Sequence, residues 1–194
     1  MSQVKAIIGL GNPGAEYEDT RHNAGAWLVE AIVRDTLAPL RVEKKFLGLY
    51  AKVNFAGHEL HLLNPTTFMN RSGGAVAALC QFFKLLPEEL LVAHDELDIA
   101  PGTARFKQGG GHGGHNGLRD TIRALGNNNA FHRLRIGIGH PGDAKLVTNY
   151  VLGRPGKMER QAIDAGIDEC LTTLPDALNG DWAKAMNRLH SFKS

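Results

Sequence analysis

The chain has 194 residues, 43% hydrophobic and 22% charged, with a formal net charge of +2. That length suits one domain, residues 1–194, able to bury about two-thirds of its unfolded surface, and the composition excludes a disordered or fibrous chain. The charge is too weak to imply a nucleic-acid partner by itself, no apolar run approaches the roughly 20 residues that span a bilayer, and Met1 to Lys5 lacks the pattern of a secretory leader, so a soluble cytoplasmic protein is expected.

Val4 to Leu10 is a nearly all-apolar run, the pattern of a strand buried on both faces. Asn23 is a candidate cap for a helix whose apolar positions are Ala24, Trp27, Leu28, Ala31 and Ile32, with Pro39 near its end. Leu47, Leu49, Ala51, Val53 and Phe55 alternate with Gly48, Tyr50, Lys52 and Asn54, and Leu60 and Leu62 follow Ala56-Gly57, which predicts a β-hairpin. Ala75, Ala78, Leu79, Phe82 and Phe83 mark a second helix, capped by Asn70 or Ser72.

Leu90 to Ala93 predicts another buried strand, running into His94-Asp95, and Arg105 to Lys107 a short one. A helix is expected to begin near Asn116. In a later strand Leu134, Ile136 and Ile138 share one face, and Arg133 and Arg135 the other. Ile163, Ile167, Cys170, Leu171 and Leu174 predict a long helix after Pro155, and Trp182, Ala185, Met186 and Leu189 a C-terminal one. Alternating strands and helices imply an α/β sandwich, a mixed twisted sheet flanked by helices. Sites in such folds lie at the carboxyl ends of strands. The strands before Asn12, Asn64-Pro65 and Asp95 would deliver their loops to that edge.

Glycine and proline punctuate polar loops around Gly9 to Gly14, Thr20 to Asn23, Thr66 to Gly73, and Gly109 to Gly117. Gly9-Leu10-Gly11-Asn12-Pro13-Gly14 matches G-x-G-x-x-G after a strand. A dinucleotide site also needs the third glycine to open a helix and an acid at the end of the next strand. Here Glu16 to Thr20 intervene, and Glu30 and Asp35 fall inside the predicted helix. The loop instead presents Asn12.

His22 stands in a polar loop before Asn23. Histidine suits general-base work because it titrates near neutral pH, and a carboxylate such as Asp95 serves best to orient it. No G-x-S-x-G elbow is present, and Cys80 and Cys170 sit in helix-like apolar patterns as free buried thiols, so water is the expected nucleophile. Asp95, Glu96 and Asp98 are alternative Mg²⁺ ligands, and His112 and His115 alternative metal ligands, yet no complete set stands at diagnostic spacing, and no metal is expected. Asn12, Asn70 and Asn116 offer paired donors and acceptors that suit a water, a carbonyl or a peptide backbone, besides helix caps. Arg105, Lys107, Arg133 and Arg135 form the best basic patch, suited to a phosphate or to plain solvation.

Taken in order, these motifs resemble bacterial peptidyl-tRNA hydrolase. They are Gly9 to Gly14 with Thr20-Arg21-His22-Asn23, Pro65 to Gly73, His94-Asp95-Glu96-Leu97-Asp98, the Gly109 to Gly117 loop, Phe131 to Gly142, and Asn187-Arg188-Leu189-His190. The resemblance runs through nearly the whole chain, with Met158 to Trp182 generic. It implies hydrolysis of the ester joining a peptide to the 3′ ribose of tRNA, which recycles tRNA from aborted translation. It also implies a monomer, a mixed sheet flanked by helices, and no cofactor. By the same resemblance His22 is the base that activates water, Asp95 orients it, and Asn12 helps tell N-blocked peptidyl-tRNA from free aminoacyl-tRNA. Tyr17, Phe68, Asn70 and Asn116 line a groove for the peptide and the tRNA 3′ end, flanked by Met69 and His115. Lys107 and Arg135 clamp a tRNA phosphate. Two other classes compete: a tRNA-binding module without catalysis, for which His22 would not matter, and a metal-dependent hydrolase on Asp95, Glu96 and Asp98, which EDTA would silence.

Overall fold

The computed structural model describes residues 3–193. Seven strands form one mixed sheet: β1 (Ala6–Gly9), β2 (Arg41–Glu43), β3 (Gly48–Phe55), β4 (His58–Pro65), β5 (Leu90–Glu96), β6 (Ala104–Gln108) and β7 (His132–Gly137), in the spatial order β2-β3-β4-β1-β5-β7-β6. The inner strands β4, β1, β5 and β7 run parallel, while β2, β3 and β6 are paired antiparallel. Parallel strands covered on both faces need apolar residues on both, which accounts for the unbroken runs Ala6–Gly9 and Leu90–Ala93.

Among the described residues there are also six α-helices, besides short 3-10 turns: α1 (Ala24–Thr36), α2 (Ser72–Phe83), α3 (Asn116–Ala124), α4 (Val147–Val151), α5 (Lys157–Leu178) and α6 (Trp182–Ser191). Ile7, Leu62, Leu91 and Leu134 face one layer, with Leu28, Ile32, Ile167, Leu174 and Leu189 from α1, α5 and α6. Ile8, Leu63, Leu90 and Val92 face the other, with Val76, Leu79 and Leu118 from α2 and α3. The two cores are the two faces of alternating strands. Among the described residues no helix is long and apolar enough to cross a membrane.

The expected strands and long helices form with shifted ends, β5 and β6 running longer than expected. The first strand covers Ala6–Gly9 rather than Val4 to Leu10, and the hairpin turns at Ala56-Gly57, both with positive φ. The edge strand β2 and the single-turn α4 are additions; each is too short to carry a period. The expected caps differ. Asn23 makes no cap hydrogen bond to α1, and neither Asn70 nor Ser72 caps α2, because Ser72 Oγ donates to the Met69 carbonyl instead. Short polar side chains bond whichever backbone group lies nearest: for Asn23 that is Asn12 in the loop after β1, and for Ser72 the carbonyl three residues before it.

The helix–sheet packing sets the site. At Gly25 in α1 a Cβ would stand 2.2 Å from the Ala93 carbonyl oxygen, so only glycine lets α1 lie this close to β5. That approach brings the turn before α1, Arg21–Asn23, against the carboxyl end of β5.

Candidate active site

The parallel strands β1, β4 and β5 end on one edge, and the loops after them border a cleft of about 1250 Å³. His22 reaches it from the 3-10 turn before α1, Asp95 from the end of β5, and His115 from the residue before α3.

Asp95 is 4% exposed and accepts two histidine hydrogen bonds. His22 Nδ1 lies 3.0 and 2.9 Å from its two carboxylate oxygens, and His115 Nε2 lies 2.8 Å from Oδ1. The partners set the proton positions. His115 Nδ1 accepts from the amides of Gly117 and Leu118 at 3.1 and 3.2 Å, so the His115 proton sits on Nε2 and is donated to Asp95. His22 donates from Nδ1, which leaves Nε2 as the basic atom. The His22 and His115 rings lie side by side, 4.9 Å between centroids.

Burial opposes charge at both partners, and the pairing overrides it. Burial lowers the His22 pKa, but the facing Asp95 carboxylate outweighs it and holds the pKa above the ordinary 6.5. Burial raises the Asp95 pKa, but His22 and then His115 outweigh it and hold the carboxyl well below the usual range. His94, next to Asp95, is different. Burial and the nearby His115 push its pKa down to about 3, so it is a neutral donor from Nδ1 to the Asp95 carbonyl.

Asn12 is held at both ends. Its backbone N–H donates to Asn23 Oδ1 and its carbonyl accepts from Asn23 Nδ2, each at 2.9 Å. Its Oδ1 accepts the Met69 N–H at 2.7 Å. Among the described residues its Nδ2 donors take no protein acceptor, and Asn12 lines the cleft. This explains the missing cap at Asn23, whose amide is spent on Asn12.

Tyr17, Phe68, Met69, Asn70 and Asn116 line the same cleft. Tyr17 and Phe68 meet edge to face at 6.3 Å, and Phe68 is 57% exposed. Met69 is buried; its Sδ would be 2.5 Å from a Cβ at Gly117, so glycine there admits the start of α3. Asn116 opens α3 and accepts from Arg119 Nη1 at 3.2 Å.

At the far side of the cleft β6 and β7 set Arg105 opposite Arg135 and Lys107 opposite Arg133. Lys107 is exposed, and Arg135 stands 3.8 Å from Glu96. Arg133 corrects the reading of this patch as a solvated face. It is 3% exposed, stacks on Phe131 at 4.9 Å, and donates to the carbonyls of Gly110 and Gly111. It ties down the glycine loop. Backbone carbonyls leave no mark in a sequence, so its alternation alone could not show this.

Asp95, Glu96 and Asp98 do not converge on one ligand position among the described residues; the close set is instead His22, Asp95 and His115, with ligand atoms within 4.8 Å of one another. Hydrogen bonds account for that closeness, since both rings donate to the carboxylate. The glycine loop after β1 runs through a turn and the Arg21–Asn23 turn before α1 begins, so it does not present phosphate-binding amides at a helix start. Cys80 and Cys170 are buried in α2 and α5. Burial pushes the Cys80 thiol up to about 11 and raises Cys170 as well, so neither offers a thiolate.

A family model described as peptidyl-tRNA hydrolase matches residues 6–194. The peptidyl-tRNA hydrolase of Chromohalobacter salexigens is 78% identical over 194 residues, all of both chains. That of Pseudomonas putida is 60% identical over the same full length. The crystal structure of peptidyl-tRNA hydrolase from Acinetobacter baumannii superposes with a TM-score of 0.95 at 46% identity, covering 100% of this chain and 97% of that one. The chain belongs to the peptidyl-tRNA hydrolase family.

Proposed function

We propose that this chain hydrolyses the ester between a peptide and the 3′ ribose of tRNA, with His22 as the general base. The observation that carries this reading is the His22–Asp95 pair at 2.9 Å, which spends Nδ1 and leaves Nε2 basic on a large open cleft. His22 Nε2 takes a proton from water, and the oxygen attacks the ester carbonyl carbon. The tetrahedral intermediate collapses by breaking the bond to the ribose 3′ oxygen, which takes the proton back from His22. Asp95 stabilises the imidazolium in between. An activated ester needs a placed water, a base and donors to the oxyanion, so neither metal nor cofactor enters the chemistry.

Asn12 serves this reaction with its free Nδ2 donors, held by Met69 and Asn23 so that they cost little reorganisation. Amide groups bind a peptide backbone without reading side chains, which suits a substrate whose peptide varies and lets Asn12 favour an N-blocked group. Tyr17, Phe68, Met69, Asn70 and Asn116 form the groove for the peptide and the tRNA 3′ end. His115 flanks that groove while it steadies Asp95. Lys107 and Arg135 hold a tRNA phosphate, with Arg135 turned from its loose partner Glu96. The enzyme works as a monomer in the cytoplasm.

The test of substrate class is release of a labelled N-acetyl-aminoacyl group from its tRNA against release of the free aminoacyl group. Preference for the blocked ester that narrows in Asn12→Ala supports the reading. Binding of tRNA with no release from either ester by the folded native protein would replace it with a tRNA-binding module.

A further inference from the structure

We propose that Arg21, beside the base, is a positioning residue that latches the α4 wall of the cleft to the turn carrying His22. Its guanidinium is planted in three places. Nε and Nη2 donate to the two carboxylate oxygens of Glu159 at 2.8 and 3.0 Å, and Nη1 donates to the Tyr150 carbonyl at 3.0 Å. The same group stacks on the Tyr150 ring at 4.0 Å, and the Arg21 N–H donates to the Gly153 carbonyl at 3.0 Å. Tyr150 in turn donates its hydroxyl to the Ile138 carbonyl, beyond the end of β7.

Arg21 therefore joins three separate pieces: the His22 turn, α4 and the first turn of α5, where Glu159 stands. Val147, Thr148 and Val151 of α4, with Leu152, line the cleft, whereas Arg21 does not. α4 is a helix of 5 residues with one buried side chain, Val151, so its own packing holds it weakly. The Arg21 and Glu159 side chains are 13% and 24% exposed, so the forked ion pair works partly shielded from water, where it is stronger than a surface pair. The Arg21 pKa rises through its bond to Glu159, and that of Glu159 falls through its bond to Arg21, as expected of a pair that stabilises both charges.

His22 is fixed independently by Asp95, and the next residue by Asn12. Breaking the latch thus frees the wall and leaves the base in place. The effect falls on substrate binding and spares the chemical step.

Arg21→Lys and Glu159→Gln in the full chain provide the test, by steady-state hydrolysis of N-acetyl-aminoacyl-tRNA and by hydrogen exchange of residues 144–152. Lysine loses the fork and the stacking; glutamine keeps the shape and loses the charge. Loss of a charge-assisted bond predicts KM raised about tenfold with kcat within about twofold, and faster exchange confined to 144–152. Unchanged KM and exchange overturn the proposal, and so does a fall in kcat at constant KM, which would place Arg21 with the chemistry. The kinetic arm rests on the proposed hydrolase activity and the exchange arm does not. A native protein without hydrolysis refutes that activity, and exchange still decides the latch.

Discussion

A histidine acts as a base only through a nitrogen that carries no proton, and His22 has one because Asp95 holds the proton on the other. The same carboxylate raises the His22 pKa above 6.5, so in the proposed reaction the free ring is the base and its protonation is expected to set the acid limb of the pH profile. Activity is predicted to fall as pH drops through a value above 6.5, measured as kcat/KM against pH. In Asp95→Asn the stabilising charge is gone, so the limb moves to lower pH while turnover drops and tRNA affinity holds. A limb that stays in place would separate Asp95 from His22 in the reaction. The partnership was a fair inference from a histidine in a polar loop and an acid at a strand end, although no linear spacing links positions 73 apart. The second donor to Asp95 was not legible: His115 in a glycine loop gives no sign that its Nδ1 caps α3 and turns Nε2 toward the acid.

Elements bring these atoms together by close approach. Gly25→Ala would press a Cβ to 2.2 Å from the Ala93 carbonyl oxygen and push α1 off β5. Overpacking of this kind costs about 1–3 kcal/mol, read as a lower denaturation midpoint at unchanged slope. Because α1 follows directly from the His22 turn, activity is predicted to fall more than stability alone explains; full activity with normal stability would show that the helix has room. At α3 His115→Ala removes an acceptor of two amides, at a cost of about 0.5–2 kcal/mol by the usual worth of a helix cap. Long helices and buried strands were readable because period and burial agree over many residues. β2 and α4 were not, having 3 and 5 residues, and Asn23 stands at the N-cap position of α1 but bonds no helix amide, because the Asn12 backbone that claims its side chain lies 11 residues away.

At the scale of the whole molecule charge is local. A net +2 gives no general attraction for RNA, so the proposed tRNA binding rests on a few cations beside the cleft. Lys107→Ala and Arg135→Ala are each predicted to weaken tRNA binding and to lower the slope of log affinity against log salt by about one phosphate contact. An unaltered slope would remove that residue from the interface. Arg133→Ala acts differently, through the glycine loop it ties down, and is predicted to lower stability along with binding. Sequence alternation grouped Arg133 with Arg135, and the register agrees, but only the fold distinguishes a guanidinium buried under the glycine loop from one left half-buried beside Glu96.

The most direct test of the central claim is release of a labelled N-acetyl-aminoacyl group from its tRNA, run in EDTA with the native protein and with His22→Ala. Rapid release by the native protein is expected, with a loss of about 10²–10⁴-fold or more in a folded variant that still binds tRNA. Near-native release by folded His22→Ala, or release that stops in EDTA and returns with Mg²⁺, would contradict it.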